Sequence, residues 1–109
     1  MKSDEIISII DERIDRYNRH YQFDFNSIKI KRMKTRWGSC SVRKNLNFNI
    51  RIFELPSRLM DYIIVHELCH LRELNHSPRF WSLVAQVIPN YKSLKLELRN
   101  NYRRGRIKV

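Results

Sequence analysis

Asp61-Tyr62-Ile63-Ile64-Val65-His66-Glu67-Leu68-Cys69-His70-Leu71-Arg72-Glu73-Leu74-Asn75-His76-Ser77-Pro78 is the stretch that decides the fold. With Leu59 and Met60 just before it, apolar side chains cover most of the circumference of one helix, so that helix belongs at the centre of the molecule. Asp61 and Arg72 fall within roughly 20° of each other and mark its expected exposed strip. At 3.6 residues per turn, His66 and His70 differ by roughly 40° in azimuth and about 6 Å in height, so both imidazoles can reach one cation. Glu67 is turned roughly 100° from His66 and is left free to hydrogen-bond a water held by that cation.

H-E-x-x-H on a helix is the arrangement of a catalytic zinc site. Zinc with three protein ligands and one open position lowers the pKa of its water to about 7, and a neighbouring carboxylate can take the proton. Three of the four histidines fall between 66 and 76, which makes His76 the third expected ligand of one Zn2+ per chain, with Glu67 as general base. His76 stands at the offset of the third ligand in the metzincin pattern H-E-x-x-H-x-x-G-x-x-H. Glu73 replaces the glycine of that pattern and no methionine follows it, so the chain is no metzincin proper. The helix is expected to run through Leu74, with Asn75 in a left-handed turn that swings His76 back. Glu97 is the alternative third ligand if His76 faces solvent.

Length and composition suit a single domain over residues 1–109: the chain is 42% hydrophobic, with two glycines and three prolines. No segment approaches the roughly 20 apolar residues of a membrane span, and the charged amphipathic start does not resemble a signal peptide. A cytoplasmic location with no membrane association is expected. Cys40 and Cys69 are too few for a disulfide framework. Cys69 lies roughly 300° from His66 and reads as a small core residue; neither cysteine is expected to act as nucleophile or ligand.

Along the chain, Ile6, Ile10, Ile14 and Tyr17 recur at helical spacing behind Ser3 or Asp4, predicting a first helix that ends near Arg19. Ile28 to Lys31 alternates as a strand running towards Trp37, and Gly38 to Lys44 supplies a turn or bulge. Leu46, Phe48, Ile50 and Ile52 alternate with Asn47, Asn49 and Arg51, predicting a second strand with one buried and one polar face. Two antiparallel strands are expected, with a short third as an option. Pro56 fits the first turn of the central helix. Ser77 and Pro78 cap and open a helix packed through Phe80, Trp81, Val84, Val87 and Ile88, and a last helix spans Tyr91 to about Tyr102, leaving Arg103 to Arg106 as a frayed tail. The class is α+β, a small antiparallel hairpin packed on the active-site helix with further helices around it.

Basic charge is concentrated in two blocks. Lys29, Lys31, Arg32, Lys34, Arg36, Arg43 and Lys44 have no acid among them, and residues 91–109 hold seven basic side chains against Glu97 alone. With a formal net charge of +11, these blocks could contact nucleic acid without sequence specificity and in a salt-dependent way. No DNA-reading motif is present.

Arg36-Trp37-Gly38-Ser39-Cys40, the strand with Asn49, the run from Asp61 to His70, Asn75-His76-Ser77-Pro78-Arg79-Phe80-Trp81 and Pro89-Asn90-Tyr91 together resemble the YgjP-like zincin metallopeptidase family, over roughly residues 27 to 100. The resemblance implies a zincin-type α+β core, one zinc on His66, His70 and His76, and Glu67 as general base. In such folds an edge strand above the active-site helix can pair with an extended peptide. Here the stretch near Trp37 or the strand from Leu46 could do so; Trp37 could equally plug the core. Tyr62, Tyr91 and nearby arginines are candidates to stabilise the oxyanion.

Three functions fit the sequence. The first is a zinc metallopeptidase acting on peptide or protein, with nucleic acid as a further partner. The second is a metal-dependent hydrolase of a nucleotide or other phosphate-containing small molecule, which would use the same water and set the basic residues on phosphates. The third is a basic nucleic-acid-binding module with structural zinc, disfavoured because such a site has no use for Glu67 beside an open coordination position.

Overall fold

Three helices and a three-stranded sheet surround the central apolar helix in the computed structural model, which describes residues 3–102. The tail from Arg103 to Arg106 lies outside them. Helix α1, Ser3–Tyr21, turns Ile6, Ile10 and Ile14 inward, as their spacing requires, and runs two residues past Arg19. Helix α2, Ser57–Cys69, packs against α1, against α3 (Pro78–Val87) and against α4 (Tyr91–Asn101). Ser77 caps α3 through its Oγ, which accepts from Phe80 N at 3.4 Å, and Pro78 fills the first turn where no donor is needed. No helix among the described residues is long and apolar enough to cross a membrane.

The sheet differs from the expected hairpin. Strands β1 (Ser27–Lys31), β2 (Gly38–Cys40) and β3 (Asn45–Asn49) lie in the order β1-β3-β2. β1 pairs with β3 in parallel, while β2 and β3 form the antiparallel hairpin. Alternation in Ile28 and Ile30 told which faces the side chains take, but not the direction of the partner. The chain crosses the sheet between β1 and β2, and the tight turn falls at 41–44, where Lys44 adopts φ 65° and its N–H donates to Ser41 O at 2.9 Å.

The predicted second strand also stops early. Asn49, expected on its polar face, is wholly buried, while Ile50 is 38% exposed. Residues Ile50–Glu54 form a 3-10 turn opened by Asn49 Oδ1, which accepts from Arg51 N at 3.1 Å. Asn49 Nδ2 donates to Met33 O at 2.9 Å and Arg36 O at 2.8 Å, so this one amide ties the loop before β2 to the end of β3. A buried amide with all these partners is sustained where an apolar residue would leave two carbonyls unmet.

Two readings of the central helix are corrected as well. Asp61 lies on no exposed strip: it is half-buried against α1, paired with Arg13 and accepting the Tyr17 hydroxyl at 2.6 Å. Arg72 is exposed. Helix α2 ends at Cys69, not Leu74, with His70 at its C-cap and Pro56 just before its first residue. Its last turn tightens, Leu71 N donating to Leu68 O and Arg72 N to Cys69 O, and the chain reverses before Ser77.

Candidate metal centre

The early stop of α2 is what brings the third histidine round. Asn75 keeps a negative φ, and among the described non-glycine residues only Gln22 and Lys44 are left-handed. The reversal over residues 70–77 carries His76 back across the helix end, and α3 presses the rings together. Phe80 stacks on His70, with centroids 4.4 Å apart at 26°, and Trp81 lies nearly parallel to His76 at 5.8 Å.

The Nε2 atoms of His66, His70 and His76 form a triangle with sides of 3.2, 3.0 and 3.1 Å. Nitrogens bound tetrahedrally at roughly 2.05 Å stand about 3.3 Å apart, so the triangle fits a zinc-sized ion with slight widening. His70 Nδ1 lies 2.9 Å from Glu73 O, which assigns the ring proton to Nδ1 and turns the Nε2 lone pair to the centre of the triangle. His66 Nδ1 is buried with no partner among the described residues. Burial, then repulsion from His70, His76 and Lys95, lowers the His66 pKa to about 3; burial also lowers His70 and His76. Three imidazoles held neutral with converging lone pairs are a donor set ready for a divalent metal. Among the described residues, this is the one group of three or more potential ligands close enough to share an ion. Glu97 is not in it; its carboxylate is engaged by Arg58.

Glu67 lies one residue along α2 and is 6% exposed. Burial pushes its carboxyl up to about 8, against a downward pull from the Arg36 charge. Gly38 of β2 lies directly against it: a Cβ there would meet Glu67 Cγ at 3.0 Å, Glu67 Oε2 at 3.1 Å and the Asn47 carbonyl at 3.1 Å. Sequence reasoning missed this contact, since nothing local in Trp37-Gly38-Ser39 signals a glutamate almost thirty positions on.

A cleft of about 740 Å3 opens over the triangle, walled by Arg36 to Cys40 on one side and by Trp81, Lys95 and Arg99 on the other. Trp37 is 4% exposed and joins the core, so it takes the plugging role while also touching the cleft floor. Tyr62 lines the cleft, its ring edge-on to His66; Tyr91 does not, and stacks on Trp81 at 4.9 Å. Cys40 borders the cleft as a protonated thiol, raised to about 11 by burial and by the Glu67 charge, and Cys69 is a core residue.

β2 is an edge strand, and its hydrogen bonds define which groups remain available. Asn49 N donates to Trp37 O and Ser41 N to Asn45 O, so alternate residues 37, 39 and 41 face β3. The backbone groups of Gly38 and Cys40 therefore point to the open edge, on the cleft side.

The family model described as YgjP-like, metallopeptidase domain, matches residues 2–101. Among solved structures, the fold is similar to the metallopeptidase zymogen of Pyrococcus abyssi abylysin, at TM-score 0.77 and 20% identity, covering 88% of this chain and 97% of that one. It is similar also to the metallopeptidase zymogen of Methanocaldococcus jannaschii jannalysin, at TM-score 0.74 and 24% identity, covering 86% and 97%. At these identities the likeness is one of fold. A UTP pyrophosphatase of Escherichia coli (strain K12) is 36% identical over 44 residues, or 40% of this chain; the match spans 26% of that protein's length.

Proposed function

The chain belongs to the YgjP-like metallopeptidase family, and from that premise we propose that it is a zinc-dependent peptidase whose one metal is held by His66, His70 and His76. The observation that carries the reading is the Nε2 triangle with a buried carboxyl beside it. When bound, zinc supplies Lewis acidity toward a carbonyl oxygen and makes water acidic enough to deprotonate near neutral pH. Glu67 accepts the proton of the attacking water and returns it to the leaving amine; burial makes its carboxylate a stronger base than an exposed one, which favours the first of these transfers. Gly38 and Cys40 receive an extended peptide along the open edge of β2, which fixes the scissile carbonyl over the triangle. The basic residues from Lys29 to Lys44, all seven exposed, add a salt-dependent contact with polyanions such as nucleic acid.

The close approach of β2 makes Gly38 part of this geometry. Gly38→Ala is expected to shift Glu67 or the strand by a few tenths of an ångström or more and to lower kcat about 100-fold with zinc content unchanged, as steady-state kinetics with elemental analysis would show. Wild-type kcat in that variant would mean that Glu67 tolerates displacement.

A second reading, hydrolysis of a nucleotide phosphoanhydride, is favoured by the local identity with the UTP pyrophosphatase and by the cations on the cleft wall. Incubating the zinc-loaded protein separately with an unfolded protein and with UTP decides between them. Peptide products that vanish in Glu67→Gln are the expected outcome; release of pyrophosphate or phosphate from UTP with the unfolded protein left intact would replace the peptidase reading with the second.

A further inference from the structure

The rim of the cleft carries one sign of charge. Arg36 stands on the β2 side, and Lys95 and Arg99, one turn apart on α4, stand on the other. The acid among the lining residues is Glu67, buried at the floor. None of the three cations forms an ion pair among the described residues; Glu97, the acid of α4, is turned away to Arg58. Lys95 is also fixed in direction, its Nζ 4.7 Å from the centre of the Trp81 ring. From there it acts on His66 and His76 as a positive neighbour.

Cations beside three neutral imidazoles weaken the hold on a divalent ion, because like charges repel in a partly enclosed cleft. That cost is offset when an anion lies between them. We propose that Lys95 and Arg99 form a carboxylate subsite, so that the substrate is a peptide with a carboxylate close to the bond that is cut. The inference rests on the peptidase reading and adds its specificity. A side-chain Asp or Glu and a free C-terminus both supply this group; Arg99 can hold it in bidentate fashion while Lys95 contributes a point charge.

The test uses Glu67→Gln protein loaded with zinc, so that nothing is consumed, and follows tryptophan fluorescence, since Trp81 lies under Lys95 and against Tyr91. The probes are an N-acetylated, C-amidated, neutral peptide, a positional set in which one Gln at a time becomes Glu, and the same neutral peptide with a free C-terminus. At least one carboxylate peptide is expected to bind about tenfold more tightly than the neutral parent, and the preference is expected to shrink to within about twofold in Lys95→Gln/Arg99→Gln. Lys95→Glu/Arg99→Glu is expected to favour a peptide with Lys in the same place. Whether the Glu series or the free acid gains tells which carboxylate is read. Equal affinities, a preference that survives the double substitution, or no peptide binding at all would overturn the subsite. Cleavage of the neutral parent by wild type, absent in Glu67→Gln, is scored in parallel; it upholds the peptidase reading even when the subsite fails.

Discussion

Glu67→Gln is expected to lower kcat for peptide hydrolysis by about 10²- to 10⁴-fold while the protein keeps its full complement of zinc. Glutamine preserves the size and packing of the side chain but cannot take a proton, and Glu67 stands outside the triangle of nitrogens, so catalysis and metal binding separate. Kinetics and elemental analysis on one preparation check both halves. Activity within tenfold of wild type would remove Glu67 from the proton transfer. The same substitution is expected to stabilise the metal-free protein. Burial raises the Glu67 pKa from 4.5 to about 8, so between those values the folded chain holds a proton that the unfolded chain has released. Stability of the wild type therefore falls as pH rises through that window, and the full penalty, on the order of a few kcal/mol, is present above it. Gln carries no such penalty. The gap in Tm between variant and wild type should widen from about pH 5 to about pH 9. The lowered pKa of His66 acts in the other direction, reducing stability as pH falls from 6.5 towards about 3, but it is common to both proteins.

His70→Ala is expected to weaken zinc binding by at least about 100-fold and to abolish turnover. Of the three imidazoles His70 is the most constrained: Glu73 O fixes its tautomer, Phe80 stacks on its face, and the end of α2 fixes its backbone. Its loss leaves two nitrogens and a gap against Phe80. Competition with a chromophoric chelator measures the affinity. His76→Ala should show a marked loss by the same measurement, whereas Glu97→Ala should bind zinc like wild type, because that carboxylate pairs with Arg58. Zinc affinity lost in Glu97→Ala and kept in His76→Ala would move the third ligand to α4.

The sequence by itself determined those features whose physics is local. Helical spacing set Ile6, Ile10 and Ile14 on one face, Ser77-Pro78 marked the start of α3, and a one-turn offset put His66 and His70 side by side. His66, His70 and Glu67 could be named as candidates because an i, i+4 pair meets on any helix, whatever surrounds it, and His76 because of its offset from that pair. Tertiary structure decided what depends on partners distant in the chain. Alternation in Ile28 and Ile30 is the same for either strand direction, so the parallel pairing of β1 with β3 was settled by the path across the sheet. Asn49 looked like a solvent-facing strand residue until Met33 O and Arg36 O were seen to need its amide. Apolar residues continue to Leu74, but α2 stops at Cys69, and beyond it the chain reverses so that Phe80 of α3 stacks on His70. Arg36, Lys95 and Arg99 come from segments that know nothing of each other in sequence, as do Gly38 and Glu67. Periodicity encodes which face of an element is buried, whereas what that face meets depends on long-range packing, where a whole set of contacts must be satisfied at once.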